Sequence, residues 1–90
     1  MKKKIAILGS TGSIGKSLID IIKRDKINYE ITLLTANRNY KELIKQAKFF
    51  KVKNLIITDI KAFKLVKKIY PKKKFNILND YKNFKKIFKS

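Results

Sequence analysis

Ninety residues without cysteine or histidine exclude a disulfide framework, a thiolate metal site and the commonest general base. A formal charge of +18 comes with a hydrophobic content of 44%, too high for a disordered tail. Only Arg24 and Arg38 among the 24 basic residues are arginine, the side chain suited to bidentate base reading, and the lysines run along the whole chain. Ile, Asn, Phe and Tyr share AT-rich codons with lysine, so the charge reads as a solvated surface. It does not point to specific nucleic-acid recognition.

In chain order, "MKKK" leads into a first apolar run, "KIAILG" (4–9), far too short for a signal-peptide core. No run approaches the roughly 20 residues that span a bilayer, so a soluble, cytoplasmic protein is expected. Residues 4–9 read as a strand. A helix follows, with Ile14, Leu18, Ile21 and Ile22 expected on one buried stripe. "EITLLTA" (30–36) is a second strand, and Tyr40, Leu43, Ile44 and Ala47 mark a second helix. "NLIITD" (54–59) is a third strand. The next helix carries Phe63, Val66, Ile69 and Tyr70 and is closed by Pro71, which cannot continue it. "KFNILN" (74–79) is a fourth strand, and "YKNFKKIFKS" places Tyr81, Phe84, Ile87 and Phe88 on one face of a fourth helix.

The strand runs are nearly continuous in apolar character, as expected of strands buried on both faces. The order β-α-β-α-β-α-β-α implies parallel strands joined by right-handed crossovers. The fold class is therefore α/β: a Rossmann-like doubly wound parallel sheet, with residues 1–90 forming one incomplete domain.

"GSTGSIG" (9–15) lies between the first strand and the first helix. Gly9 suits a tight turn, Gly12 permits close approach of a ligand to backbone N–H groups, and Gly15 lets the helix lie close to the sheet. The helix start offers unpaired N–H groups and the positive end of its dipole, a seat for pyrophosphate. Ser10, Thr11 and Ser13 add hydroxyls for capping or for phosphate oxygens. The spacing is G-x-x-G-x-x-G, distinct from both the common dinucleotide fingerprint and the Walker loop. In NAD-binding units an acid after the second strand takes the ribose 2′-hydroxyl. Here the second strand ends in Asn37, Arg38 and Asn39 instead. Arg38 suits the 2′-phosphate of NADP, and Asn39 also reads as the cap of the second helix.

These residues carry a resemblance. "KIAILGSTGSIGKSLIDII" and "LTANRNYKELIKQAKFFKVKNLIITD" are similar to the N-terminal NADPH-binding domain of the 1-deoxy-D-xylulose 5-phosphate reductoisomerase family. The first stretch matches the family's I-L-G-S-T-G-S-I-G. The second follows its A-G-x-N…L…Q…F pattern through Ala36, Asn39, Leu43, Gln46 and Phe50, so the likeness covers roughly residues 4–59. It implies that Thr11, Gly12, Ser13 and Ile14 contact the NADPH pyrophosphate region. It also implies that Asn37, Arg38 and Asn39 surround the adenosine ribose and its 2′-phosphate. Two positions depart from the family. Asn37 replaces a glycine, its tolerance of left-handed backbone angles preserving the turn, and Lys51 replaces a proline.

The family converts 1-deoxy-D-xylulose 5-phosphate to 2-C-methyl-D-erythritol 4-phosphate in the non-mevalonate isoprenoid route. A metal-assisted rearrangement is followed by hydride transfer from NADPH. The resemblance further implies Mg²⁺ or Mn²⁺, a sugar-phosphate substrate and a homodimer, all properties of the full-length enzyme. In this chain the acids Asp20, Asp25, Glu30, Glu42, Asp59 and Asp80 are isolated, with Asp20, Asp25 and Glu42 expected on helices. No catalytic or metal-ligating residue is named from them. Tyr70–Lys74 and Tyr81–Lys85 match the Tyr-x-x-x-Lys dyad of short-chain dehydrogenases, a chance match in so lysine-rich a sequence. The expectation is a truncated cofactor half, with a stand-alone domain that reuses the fold as the alternative. Exposing its sheet edge and the apolar face of its last helix, such a fragment is expected to associate or aggregate. The alternatives are another NADP-dependent reductase with the same glycine turn and a non-catalytic basic module for nucleotides or nucleic acid.

Overall fold

The computed structural model describes residues 2–70 and 74–82. Four strands alternate with three helices: β1 (Lys3–Ile7), α1 (Ser13–Lys23), β2 (Tyr29–Ala36), α2 (Tyr40–Phe50), β3 (Asn54–Ile57), α3 (Ile60–Ile69) and β4 (Asn76–Leu78). All adjacent strands are parallel, in the order β1-β2-β3-β4. Each crossover steps one strand in the same direction, so right-handed connections bring all three helices to one face of the sheet. This is the one-way half of a doubly wound sheet. The fourth helix expected from Phe84, Ile87 and Phe88 lies outside the described residues, as does Lys85 of the second Tyr-x-x-x-Lys pair.

The core forms where that face meets the helices. Ile7, Leu34, Leu55, Ile57 and Ile77 from the strands pack with Ile19, Ile22, Leu43, Ala47 and Val66 from the helices. Fully burying one such aliphatic side chain contributes about 1.5–3 kcal/mol. Burial on both faces is a property of the inner strands: Leu33 and Leu34 in β2, and Leu55 and Ile56 in β3, have no exposed surface. β1 is an edge strand, exposed or half-buried as far as Ala6, because it pairs with β2 alone among the described strands. Its register shifts between Ile5 and Ala6, which pair with Ile31 and Leu33. Thr32 is the extra residue of this bulge, and its hydroxyl donates to the Ile5 carbonyl at 3.1 Å. The bulge lets Ile31 and Leu34, three apart in sequence, both join the helix-side core.

The α1 stripe differs from expectation. Gly15, Ile19 and Ile22 face the core, whereas Ile14, Leu18 and Ile21 are exposed. Gly15 explains the choice, since only the glycine flank of the helix can approach the underlying backbone. In α3 the buried residues are Ala62 and Val66, with Ile69 exposed. The helix stops at Ile69, and Tyr70 takes an extended conformation, as a residue preceding proline does.

Candidate functional site

The three glycines do three different jobs. Gly9 has a φ of +65°, and a β-carbon there would meet nothing within 4 Å, so its requirement is conformational. Gly15 has the opposite problem: a β-carbon would sit 2.2 Å from the Gly9 carbonyl oxygen and 2.6 Å from the Ser10 Cα. The close approach is therefore to the turn's own backbone. Gly12, the exposed N-cap of α1, has φ −77° and ψ 172°, angles open to any residue. A β-carbon there would lie an ordinary 3.4 Å from its nearest neighbour, the Gly9 oxygen. The fold itself has little need of a glycine at position 12.

Most polar groups at the start of the turn are engaged. Gly9 N–H donates to the Thr35 hydroxyl at 2.7 Å, and Ser10 N–H to the Thr35 carbonyl at 2.9 Å. Gly12 N–H donates to the Gly9 carbonyl at 3.0 Å. The amides left without a partner among the described residues are Thr11, Ser13, Ile14 and Gly15, and no side chain caps α1. By contrast, Asn39 Oδ1 caps α2 by accepting from Glu42 N–H at 3.3 Å, and Asp59 Oδ2 caps α3 by accepting from Ala62 N–H at 3.0 Å. The α1 dipole therefore ends in bare amides at a shelf where Gly12, Ser13 and Ile14 are exposed, Thr11 half-buried and Gly15 buried beneath, suited to an anion.

Of the hydroxyls, Thr11 is half-buried and Ser13 exposed at the start of α1. Ser10 is not available to a ligand. It is fully buried, and its Oγ makes a long 3.4 Å bond to the Thr35 carbonyl. Ile14, 80% exposed, offers its amide and an apolar surface to whatever rests on the shelf.

Asn37, Arg38 and Asn39 are all exposed where β2 runs into α2, at the same end of the sheet as the glycine turn. Asn37 does not use left-handed freedom: Lys51 is the sole non-glycine residue with positive φ among those described. It instead ties β2 to β3, its Oδ1 accepting from the Thr58 hydroxyl at 2.9 Å and its carbonyl from Asp59 N–H at 3.1 Å. Arg38 has its Nε 3.6 Å from Asp59 Oδ1, and its side chain is 82% exposed. Absence of an acid from the end of β2 in sequence is thus not absence in space. The sequence reading missed Asp59 as partner and cap, although an Asp opening an amphipathic helix is a capping signal.

Lys51, where the family carries proline, has φ 58° and ψ 41°, angles closed to a proline ring. The end of α2 therefore differs locally from a proline-bearing one. Asp25, expected on a helix, falls in the turn after α1, where its carboxylate accepts from Asn28 Nδ2 at 2.8 Å. Among the described residues no three acids, histidines or cysteines cluster to hold a metal, so the site does not fit one. A groove of about 340 Å³ runs between α1 and α2, lined by Lys16, Asp20, Glu42, Gln46 and Phe49 among others. None of the seven expected contact residues lines it. The bare amides lie on the open shelf and not in this groove.

Comparison with known proteins decides the family. The sequence profile of 1-deoxy-D-xylulose 5-phosphate reductoisomerase matches residues 5–90. The chain belongs to the 1-deoxy-D-xylulose 5-phosphate reductoisomerase family. The reductoisomerase of Pelagibacter ubique (strain HTCC1062) is 54% identical over 86 residues, 96% of this chain and 22% of that protein. The reductoisomerase of Clostridium botulinum (strain Langeland) is 42% identical over 64 residues, 71% of this chain and 17% of its own length. Among solved structures, the reductoisomerase of Zymomonas mobilis in complex with NADPH superposes with a TM-score of 0.77 at 33% identity. It covers 87% of this chain, which in turn spans 21% of that one. The chain thus spans about a fifth of the reductoisomerases it matches, and their Rossmann-like fold is the one seen here.

Proposed function

We propose that this chain binds NADPH and acts as the cofactor-holding part of a 1-deoxy-D-xylulose 5-phosphate reductoisomerase. The observation that carries the reading is Gly12, a glycine the fold does not demand, placed where four amides lack partners. The amides of Thr11, Ser13, Ile14 and Gly15 would hold the pyrophosphate, with Gly12 leaving room for it. Arg38 would pair with the 2′-phosphate, and Asn37 and Asn39 would frame the ribose beside it. The bound cofactor supplies a hydride; the chain's own residues bind and orient it.

The conversion to 2-C-methyl-D-erythritol 4-phosphate needs more than these residues. We assign the sugar-phosphate pocket, the Mg²⁺ or Mn²⁺ site and the homodimer contacts of the family enzyme to portions that this chain does not match. A cytoplasmic location is part of the same proposal.

Thermal unfolding with and without cofactor tests the reading. NADPH is expected to raise the melting temperature more than NADH, and Arg38→Ala to remove most of that difference. Hydrogen bonds to a charged group contribute about 1.5–3 kcal/mol, so NADPH affinity is expected to fall about tenfold or more in the variant. An Arg38→Ala chain with unchanged preference would refute the assignment of Arg38. A wild-type chain that binds neither cofactor would refute the function.

A further inference from the structure

The Gly9–Ser10 peptides are held from two sides by residues distant in sequence. From β2, Thr35 accepts Gly9 N–H on its hydroxyl at 2.7 Å and Ser10 N–H on its carbonyl at 2.9 Å. From α2, Gln46 Nε2 donates to the Ser10 carbonyl at 2.9 Å. Thr35 is 1% exposed and Gln46 6%, so neither can touch a ligand resting on the shelf. Gln46 makes its bond at a cost, because its Oε1 is buried with no hydrogen-bond partner. A methionine of similar length would fill the same space without the orphaned Oε1, but it would leave the Ser10 carbonyl without its donor.

The held peptides are the ones against which α1 is seated. The Gly15 Cα lies so close to Gly9 O and Ser10 Cα that a single added carbon would clash with both. A shift of Ser10 must therefore move the first turn of α1, and with it the amides of Ser13, Ile14 and Gly15. From this geometry we infer that Gln46 and Thr35 are positioning residues for the cofactor turn: they fix Gly9–Ser10 so that the unpaired α1 amides are preorganised for a diphosphate. The inference rests on the NADPH reading above and adds the residues that set the turn's shape.

The test uses the whole chain with Gln46→Met, Thr35→Ser and Thr35→Val, reading melting temperature, NADPH fluorescence titration and backbone amide resonances. Gln46→Met exchanges one unpartnered buried acceptor, Gln46 Oε1, for another, the Ser10 carbonyl, so it is expected to melt close to wild type. Its NADPH affinity is expected to fall about threefold to tenfold, the worth of one hydrogen bond, with the NADPH-to-NADH ratio unchanged. Without ligand, its amide resonances from Gly9 to Gly15 are expected to move. Thr35→Ser, which keeps the hydroxyl, is expected to bind nearly as wild type, and Thr35→Val to lose at least as much as Gln46→Met. Wild-type affinity in Gln46→Met, or Thr35→Ser binding no better than Thr35→Val, would overturn the inference while leaving the NADPH reading intact. A wild-type chain that fails to bind NADPH removes both.

Discussion

Replacing the three glycines one at a time separates what the fold needs from what the ligand needs. At Gly9, alanine must adopt a left-handed conformation, at a cost of about 1–2 kcal/mol. At Gly15, the alanine methyl would lie 2.2 Å from a backbone oxygen, and backbone cannot swing aside as a side chain can. Overpacking of that kind costs about 1–3 kcal/mol or more, with the rigid neighbour pushing it to the upper end. At about 4–8 °C per kcal/mol for a domain of this size, Gly15→Ala is expected to lower the melting temperature by well over 10 °C. Gly12→Ser is the informative contrast. Its backbone angles are ordinary, its β-carbon has room, and serine at an N-cap matches or exceeds glycine by a few tenths of a kcal/mol. The variant is expected to melt at or slightly above the wild-type temperature. Yet its Oγ would take up α1 amides, and its β-carbon would stand where the pyrophosphate rests, weakening NADPH by about tenfold or more, over 1.4 kcal/mol. Circular-dichroism melts and a fluorescence titration on the three variants give both readings. Gly12→Ser that binds NADPH like wild type would show that the bare amides are not the phosphate seat. Gly12→Ser that unfolds as readily as Gly15→Ala would show that the fold demands this glycine after all.

Two further outcomes follow, one from a residue beside the site and one from the far end of α2. Asp59→Asn keeps a competent cap on α3 while removing the carboxylate that holds Arg38. Its NADPH affinity is expected to rise about twofold to fivefold in a titration, with NADH unchanged, since the freed guanidinium serves only the 2′-phosphate; an equal gain for both cofactors would contradict this. Lys51→Gly relieves a left-handed residue at the end of α2. The relief of about 1–2 kcal/mol, less the entropy that glycine adds to the unfolded chain, leaves a gain of roughly 0.5–1 kcal/mol. A melting temperature below wild type would argue against that backbone angle.

The strands, the three described helices and their order were legible because short β-branched runs and 3.6-residue periodicity are local properties. The apolar stripe of α1 was not. Ile14, Leu18 and Ile21 keep helical spacing as well as Gly15, Ile19 and Ile22 do, and a count of apolar side chains favours the first set. The structure takes the second because a contact can be made by backbone, with glycine as its marker. The glycine turn was legible for the same reason in reverse, since closely spaced glycines after a strand mark a tight turn and a close helix approach. Thr35 and Gln46 stayed hidden as anchors. A threonine in a strand reads as one more β-branched residue. A glutamine in a lysine-rich helix reads as surface, until the fold buries it 36 residues away from its partner. Asp59 was visible as an acid at a strand end, but its pairing with Arg38 needed β2 and β3 to be neighbours in space.

The net charge of +18 bears on how any cofactor preference is to be judged. NADPH exceeds NADH by one phosphate, about −1.5 to −2 at neutral pH, so any strongly cationic surface attracts it more. That general attraction acts through solvent and is screened, with a Debye length of about 10 Å at 0.1 M salt and about 3 Å at 1 M. A guanidinium in contact with a phosphate lies inside that distance and survives. Arg38 is suited to such a contact: at 82% exposure its guanidinium is little buried before a ligand arrives. The lysines, dispersed over β1, the three described helices and the connecting segments, have no such focus. Preference for NADPH that persists at high salt therefore belongs to Arg38, whereas preference that fades with salt in wild type and Arg38→Ala alike belongs to the lysine surface. The ratio of the two affinities against ionic strength, more than either affinity alone, separates a cofactor site from a charged surface.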